Sequence, residues 1–243
     1  MLTFVKILIM ANLYLIPTTL GDNKIESVIP NYNSLIVKEI QYFIVENIRT
    51  ARRYLKKIDH SINIDDLNFY ELNEHTNKNV LEEFLKPIHN GFDVGIISEA
   101  GCPGIADPGA DVVKIAHEKN IKVVPLVGPS SILLSLMASG MNGQNFAFLG
   151  YIPVKQVERI KAIRDIEKRS GMEKQTQIFI EAPYRNTKLL EDLVSTLNDQ
   201  TRLCIAVDLT LETEYVKTQT IATWKKGVPD INKRPAIFLI HRD

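Results

Sequence analysis

One segment joins a short apolar run to a densely punctuated loop: Ile96-Ile97-Ser98-Glu99-Ala100-Gly101-Cys102-Pro103-Gly104-Ile105-Ala106-Asp107-Pro108-Gly109. The loop holds three glycines and two prolines, which bend the backbone sharply and let its amides approach a ligand closely. An amphipathic helical stretch follows at residues 110–119. A loop between a strand and a helix lies at the carboxyl end of the strand, where open α/β sheets bind ligands. The segment therefore predicts an α/β sheet with a ligand site at this loop; a plain strand-to-helix connector is the alternative.

The same alternation extends along the chain. Short runs rich in Val, Ile and Phe alternate with amphipathic stretches, which is typical of a parallel sheet covered by helices. We therefore expect the fold class α/β. Strands are predicted at residues 13–16, 42–46, 68–72, 94–98, 122–126, 177–182, 203–208, 214–220 and 237–241. Helices are predicted at residues 49–58, 79–88, 110–119, 131–139 and 185–197.

The composition of the chain changes after Gly150. Pro153 opens a charged stretch, residues 154–174, and a small excess of acids before residue 150 gives way to a small excess of bases. We therefore predict three parts: an N-terminal extension at residues 1–11, an N-terminal α/β domain at 12–150 and a C-terminal α/β domain at 151–243.

The first seventeen residues are strongly apolar. The run is shorter than the roughly 20 apolar residues that cross a bilayer, and Lys6 interrupts it. A signal peptide is the alternative, although no small-x-small cleavage motif follows. We instead predict that residues 12–16 form the first buried strand, that Met10 is the natural start, and that the protein has no membrane partner.

The overall composition excludes several classes. The chain has 243 residues, 29 basic and 29 acidic, so it is neither a disordered tail nor a scaffold that needs metal or disulfide staples. Neither Cys102 nor Cys204 belongs to a zinc-binding motif, so we predict no metal site. Two reduced thiols in a cytoplasmic protein are the favoured interpretation, and a single disulfide remains open.

Two further turns follow predicted strands, at residues 17–22 and 127–131. Because the carboxyl ends of parallel strands share one edge of a sheet, we expect all three turns to converge on one crevice. Ser130 or Ser131 can cap the following helix or reach a bound ligand. Neither a GxGxxG fingerprint nor a phosphate-binding P-loop is present, so a dinucleotide enzyme or an NTPase is unsupported.

These turns carry a family resemblance. The chain resembles the tetrapyrrole methylase superfamily, and within it the branch that 2′-O-methylates a cytidine of small-subunit ribosomal RNA. Residues 98–109 match the family's Ser-Asp-Ala-Gly-Thr-Pro-x-Ile-Ser-Asp-Pro-Gly loop, and residues 14–22 match its Tyr-Val-Val-Pro-Thr-Pro-Ile-Gly-Asn run. Residues 127–130 are similar to Pro-Gly-Pro-Ser, and residues 180–185 to Tyr-Glu-Ser-Pro-His-Arg.

The resemblance implies two α/β domains of the tetrapyrrole methylase type with S-adenosylmethionine in the crevice between them, and a homodimer. Glu99 is a candidate ligand for a polar group of the cofactor, and a carboxylate that satisfies loop amides is the alternative. The cofactor-binding residues that the resemblance implies are Pro17, Gly21, Glu99, Ala100, Gly101, Cys102, Pro103, Ile105, Ala106, Ser130, Pro235 and Ala236.

A ribose hydroxyl is a weak acid, so its methylation gains from a nearby base or an oxyanion partner. Glu46 and Glu181 are the candidate catalytic bases, with Arg49 and Arg185 as phosphate or oxyanion partners, and structural ion pairs are the alternative. Five cations at residues 49–57 and the basic stretch at 154–174 suit a phosphate backbone, although solvated helix faces explain them too. Tyr151 and Tyr184 can stack a base or complete a core. The predicted substrate-binding residues are Arg49, Arg52, Arg53, Tyr184 and Arg185.

Several departures from the family pattern keep other functions open. The Ala-Glu-Asp-Thr-Arg motif becomes Val45-Glu46-Asn47-Ile48-Arg49, and the lysine of a later Glu-Leu-Thr-Lys motif becomes Leu211. Ribosomal RNA of the small subunit is the predicted partner. Methylation of a tetrapyrrole or corrinoid precursor, or cofactor binding without catalysis, are the alternatives.

Overall fold

The computed structural model describes residues 11–73 and 76–243. The predicted N-terminal extension and the start at Met10 lie outside the described residues, except for Ala11, which is buried. The chain divides into two compact units, one ending at Pro129 and one beginning at Ser130. Within the described ranges, no helix has the length and apolarity needed to cross a membrane.

The first unit alternates strands and helices. Its described strands are β1 (Leu13–Ile16), β2 (Tyr42–Val45), β3 (Asn68–Glu71), β4 (Val94–Ile97) and β5 (Val123–Pro125). Its described helices are α1 (Asn31–Glu39), α2 (Ile48–Ile58), α3 (Leu81–Phe84), α4 (Lys86–His89) and α5 (Gly109–Glu118). The strands predicted for this part of the chain are confirmed to within a residue at each end.

These strands form one parallel sheet in the order β3-β2-β4-β1-β5. Both faces are covered, because Ile44 and Ile96 belong to one apolar cluster and Phe43 and Ile97 to another. Burial on both faces explains why the strands are continuous apolar runs. The parallel arrangement brings the ends of β1, β2, β4 and β5 to one edge, as predicted.

Two helical segments of the first unit differ from the prediction. Helix α1 was not predicted; it begins directly after Pro30, and its first turn is polar. The single helix predicted at residues 79–88 is two short helices, α3 and α4, that meet at Leu85. Pro87 lies in the first turn of α4, where a missing backbone N–H costs little, whereas inside one long helix it would break the hydrogen-bond pattern.

The second unit carries its own sheet. Its described helices are α6 (Ser131–Ser139), α7 (Gln156–Glu173), α8 (Asn186–Thr196) and α9 (Ile221–Trp224). Its described strands are β6 (Phe146–Tyr151), β7 (Thr176–Ile180), β8 (Arg202–Val207), β9 (Tyr215–Thr220) and β10 (Ala236–His241).

The second sheet is mixed, with the order β6-β7-β10-β8-β9. Strands β6 and β7 are parallel, whereas β10 is antiparallel to both of its neighbours and β9 is antiparallel to β8. The predicted α/β class is confirmed, but the parallel arrangement expected from the alternation of strands and helices is wrong for this half. An apolar run indicates a buried strand and says nothing about its direction.

The division between the units lies earlier than the boundary predicted at residue 150. That boundary falls inside β6, which pairs with β7, and α6 packs against β9 and β10. Both elements therefore belong to the second unit. Pro153 marks the turn between β6 and α7 rather than a junction between domains.

Candidate active site

Three loops meet at the carboxyl edge of the first sheet. The loop after β1 donates the backbone N–H of Thr18 to the carbonyl of Gly101, in the loop after β4, over 2.9 Å. The thiol of Cys102 in turn lies 3.5 Å from the carbonyl of Pro129, in the loop after β5. The convergence predicted for these turns is confirmed within the first unit.

The loops approach one another so closely that glycine is required. A Cβ on Gly128 would lie 2.2 Å from Cγ of Pro17, a contact that real Cβ atoms do not make. Gly101 has φ of +73° and already lies between Leu20 and the Pro129 carbonyl. Two of the glycines that mark these turns in the sequence are therefore needed for backbone packing.

The loop after β4 is held by its own polar side chains. Ser98 donates its hydroxyl to the carbonyl of Gly101 over 2.8 Å. Asp107 Oδ1 accepts the backbone N–H groups of Gly104 and Gly109, each at 2.8 Å. Burial raises the pKa of Asp107 even though these two amides lower it. Asp107 thus orders the loop, and its Oδ1 is already occupied by two loop amides.

A cavity of about 410 Å³ opens between the loop after β1, the start of the loop after β4, and helix α2. Its volume is in the range of small-molecule sites. The hydroxyl of Thr18 is buried at its wall and has no hydrogen-bond partner among the described residues. The lining residues are Thr18, Thr19, Leu20, Gly21, Asp22, Thr50, Ala51, Arg53, Tyr54, Lys57, Ile97, Ser98, Glu99 and Ala100.

The predicted cofactor residues are distributed over both units. Gly21, Glu99 and Ala100 line the cavity, and Pro17 accepts the Tyr54 hydroxyl on its carbonyl over 2.6 Å. Five more of the predicted cofactor residues lie further along the same loop: Gly101, Cys102, Pro103, Ile105 and Ala106. The second unit holds Ser130, Pro235 and Ala236.

Two of these residues have a clear local role. Ser130 caps α6, accepting the N–H of Leu133 on its hydroxyl over 3.4 Å. Cys102 is half-buried, and burial raises the pKa of its thiol. The Cys102 side chain is therefore a thiol rather than a reactive thiolate.

Glu46 follows β2 at the same edge and is half-buried. Its Oε1 accepts the backbone N–H of Glu99 at 3.4 Å. Burial raises the pKa of Glu46, the amide of Glu99 lowers it, and the charges of Asp107 and Glu99 raise it further. A carboxylate in these surroundings is a stronger base than one in water.

Asn47 caps helix α2. Its Oδ1 accepts the backbone N–H groups of Arg49 and Thr50 at 2.9 and 3.2 Å. Aspartate and asparagine serve equally well at this position. Asparagine in place of the motif's aspartate at residue 47 therefore still caps helix α2.

The basic residues of α2 fall into two groups. Arg52 lies over the ring of Phe69 at 5.4 Å, Lys56 donates to the carbonyl of His60, and Lys57 pairs with Asp22 at 2.8 Å. Among the described residues, Arg49 and Arg53 have neither an ion pair nor a hydrogen-bonded side chain. Arg49 and Arg53 are one helical turn apart, and Arg53 lines the cavity. Both guanidinium groups are therefore available to a ligand beside the cavity.

The other predicted carboxylate, Glu181, lies at the end of β7 in the second unit. It is buried, and its Oε1 accepts from Arg185 Nη2 at 2.5 Å and from the N–H of Ala182 at 2.7 Å. Arg185 also stacks over the ring of Tyr184, which is exposed. The hydrogen bond to Glu181 raises the pKa of Arg185. Glu181 therefore holds the guanidinium in place and is already neutralised by it.

Although Lys57 was counted among the five cations of residues 49–57, several lining residues were not predicted to line a site: Thr18, Thr50, Tyr54 and Lys57. The last three are spaced along α2 as one helix face, with intervals of four and three residues. That spacing was available in the sequence, whereas the burial of the Thr18 hydroxyl depends on tertiary packing. In the described part of the chain, no three His, Cys, Asp or Glu side chains are grouped to hold a metal.

Comparison with known proteins finds relatives that share one name. A scan against protein-family models finds no match. The ribosomal RNA small subunit methyltransferase I of Vibrio cholerae is 28% identical over 94% of this chain and 76% of the relative. The protein of the same name from Bacillus subtilis is 31% identical, over 88% of this chain and 68% of the relative.

A solved structure supports the fold. The crystal structure of the methyltransferase CobJ matches with a TM-score of 0.64 and covers 96% of this chain and 94% of that one, at 12% identity. At this identity the likeness shows the fold alone. The sequence relatives show that the chain belongs to the ribosomal RNA small subunit methyltransferase I family and is a methyltransferase.

Proposed function

We propose that this protein transfers the methyl group of S-adenosylmethionine to the ribose 2′-oxygen of a cytidine in small-subunit ribosomal RNA. The names of the relatives support the substrate class. The observation that carries the proposal is the cavity at the end of the first sheet, where Glu99, Arg53 and hydroxyl groups converge and where Glu46 is tied to the same loop.

The residues at this edge fit the chemistry of the cofactor. A sulfonium nucleoside with an amino acid group offers hydrogen-bond donors, ribose hydroxyls and positive charge. Glu99 is exposed at the cavity and suits the donors and the positive charge. The buried hydroxyl of Thr18 has no hydrogen-bond partner within the described ranges and can bind a polar group of the cofactor. Gly104, at φ +79°, has open space where a Cβ would lie, although its backbone N–H is already donated to Asp107.

When bound, S-adenosylmethionine supplies a methyl group on a sulfonium, which is a good leaving group. The task left to the protein is to align the acceptor and remove its proton. We assign removal of this proton to Glu46, because Glu46 is half-buried and its raised pKa makes it a stronger base. Glu181 instead positions Arg185 through a buried ion pair.

For the acceptor, we assign Arg49 and Arg53 to phosphate groups near the cavity. Neither is used by another described side chain, and guanidinium groups bind phosphate in bidentate fashion. Arg185, stacked on exposed Tyr184, gives the second unit a cation and an aromatic face of the kind that bind unpaired nucleotides. Arg52 is engaged with Phe69 and contributes to α2 rather than to the substrate in this proposal.

We also propose that the protein is a homodimer and acts in the cytoplasm, where small ribosomal subunits are assembled. The apolar side chains of Leu133 and Met137 are exposed on α6, while the buried face of that helix carries Ser135, Leu136 and Ser139. An exposed apolar strip of this kind supports association with a second copy. Light scattering on the purified full chain measures the molar mass directly.

The function is tested by calorimetry with S-adenosylmethionine followed by transfer of its labelled methyl group. Small ribosomal subunits that lack the modification are one acceptor, and a tetrapyrrole precursor is the other. We expect binding of the cofactor and label on a ribose 2′-oxygen of the rRNA. Label on the tetrapyrrole alone would assign a small-molecule methyltransferase, and binding without transfer to either acceptor would assign a cofactor-binding paralogue.

A further inference from the structure

The cations of α7 differ in whether they are paired. Arg159 is buried and donates its Nε to Asp192 at 2.8 Å, so it is structural. Lys155, directly before the helix, lies 3.6 Å from Glu158, and Arg169 lies 3.9 Å from Glu173. Across the described ranges, the remaining three cations of the helix have no ion pair or side-chain hydrogen bond: Lys161, Arg164 and Lys168.

These three cations share one exposed face. Intervals of three and four residues place them in a single row, on the side of α7 opposite its buried residues. At about 1.5 Å per residue the row is about 10 Å long, which matches roughly three successive phosphates of one strand. Asp165 lies beside the row but pairs with none of the three cations.

We propose that the row Lys161–Arg164–Lys168 binds the sugar-phosphate backbone of the RNA substrate, as a second contact apart from the cavity of the first unit. This inference rests on the proposed function, since it takes the substrate to be RNA. The chemistry that the row recognises is a line of phosphates: Arg164 offers a planar guanidinium, and the two lysines offer point charges on either side of it.

An RNA backbone fits this face better than a protein does. The exposed apolar side chains on the same face are Val157 and Met172, and they stand at opposite ends of the helix, about 22 Å apart. A protein interface has an apolar centre, whereas the centre of this face is charged. A solvated helix face is the remaining alternative, because exposed cations need no acidic partner in water. The two are distinguished by the salt dependence of RNA binding.

The test compares the full-length wild-type chain with two charge-neutralised triple variants in binding to small ribosomal subunits over a range of salt concentrations. The first variant, K161Q/R164Q/K168Q, removes the row. The matched control, K114Q/K155Q/R169Q, removes three exposed cations that already have an acidic partner. Glutamine keeps the helix propensity of lysine and arginine, and thermal unfolding verifies that both variants fold.

We expect the row variant to bind about tenfold more weakly or worse, with a salt dependence that is shallower by about 2 in the slope of log K against log salt. The control should stay close to wild type. D165N should act in the opposite sense and tighten binding, because it removes the acid beside the row.

Other outcomes overturn the inference in distinguishable ways. A wild-type slope in the row variant, or equal losses in both triple variants, removes the row from RNA binding while leaving the proposed function intact. Failure of the wild-type protein itself to bind the particles or to methylate their RNA removes the proposed function and this inference with it.

Discussion

Thr50 donates its hydroxyl to Glu99 Oε1 over 2.5 Å, which joins the first turn of α2 to the loop after β4. Glu99 in turn donates its backbone N–H to Glu46. Asn47 caps the same helical turn. The positions of Glu99, which lines the cavity, and of Glu46 therefore depend on how α2 begins.

Replacing Thr50 by valine tests this connection. T50V keeps the shape of the side chain but leaves Glu99 without its hydroxyl partner, so the carboxylate loses its orientation. A hydrogen bond to a charged group contributes about 1.5–3 kcal/mol, and we expect the Kd for S-adenosylmethionine to rise about tenfold. T50S retains the hydroxyl and should bind as wild type does. Equal affinity in T50V and wild type would show that Glu99 needs no orientation.

Asn47 should matter for stability rather than for charge. N47A removes the cap and should lower the free energy of unfolding by about 1 kcal/mol in urea denaturation. N47D restores the residue of the family motif and should match wild type in both stability and methyl transfer. A large gain of activity in N47D would mean that asparagine weakens catalysis here, contrary to its role as a cap.

Glu46→Gln tests the assigned base. We expect the maximal rate to fall by about 100-fold or more, with the Kd for the cofactor unchanged. E118Q, which alters an exposed carboxylate on α5, is the matched control. If E46Q transfers methyl groups at the wild-type rate, Glu46 has no part in proton removal.

The pH dependence of the wild-type enzyme follows from the same residue. Burial raises the pKa of Glu46, and a base acts only when deprotonated, so the rate should rise with pH through a value above that of an ordinary glutamate. The raised pKa also means that ionisation of Glu46 opposes folding, and this cost is present above its folded-state pKa. E46Q should therefore unfold at a higher temperature than wild type at neutral pH, and an unchanged or lower temperature would contradict this.

Gly128→Ala tests the packing of the loops. The new Cβ would overlap the ring of Pro17, which is rigid, so the loops must move apart. We expect a loss of about 1–3 kcal/mol in the free energy of unfolding, together with weaker cofactor binding. Gly143 has open space around it and no left-handed backbone, so G143A is the control and should be close to neutral. Equal stability of the two variants would contradict the observed approach of Pro17 and Gly128.

The sequence identified most of the elements because apolar runs and turn residues act locally. The strand at 13–16 and the helix at 131–139 agree with β1 and α6 residue for residue. Gly140 ends α6 in the left-handed conformation that glycine adopts without strain. Strand β6 was missed although its sequence, Phe-Ala-Phe-Leu-Gly-Tyr, is apolar, because the predicted domain boundary was placed across it. The central position of β10 depends on long-range pairing, which no local pattern records.

The site was predictable to the extent that it is built from turns. Three glycine- and proline-rich loops located the correct edge of the first sheet. The roles of individual side chains were not predictable, because they depend on neighbours distant in sequence. Glu46 and Glu181 look alike in the sequence, yet one is half-buried with a raised pKa and the other is neutralised by Arg185.

Backbone hydrogen exchange in the presence of S-adenosylhomocysteine tests most directly where the cofactor binds. The methyl donor is assigned here to the loops at residues 17–22 and 98–107 of the first unit. We predict that amides in both loops exchange more slowly when this product is bound, with smaller changes in the rest of the parallel sheet. Tight binding that leaves both loops exchanging at their free rates would contradict the assignment.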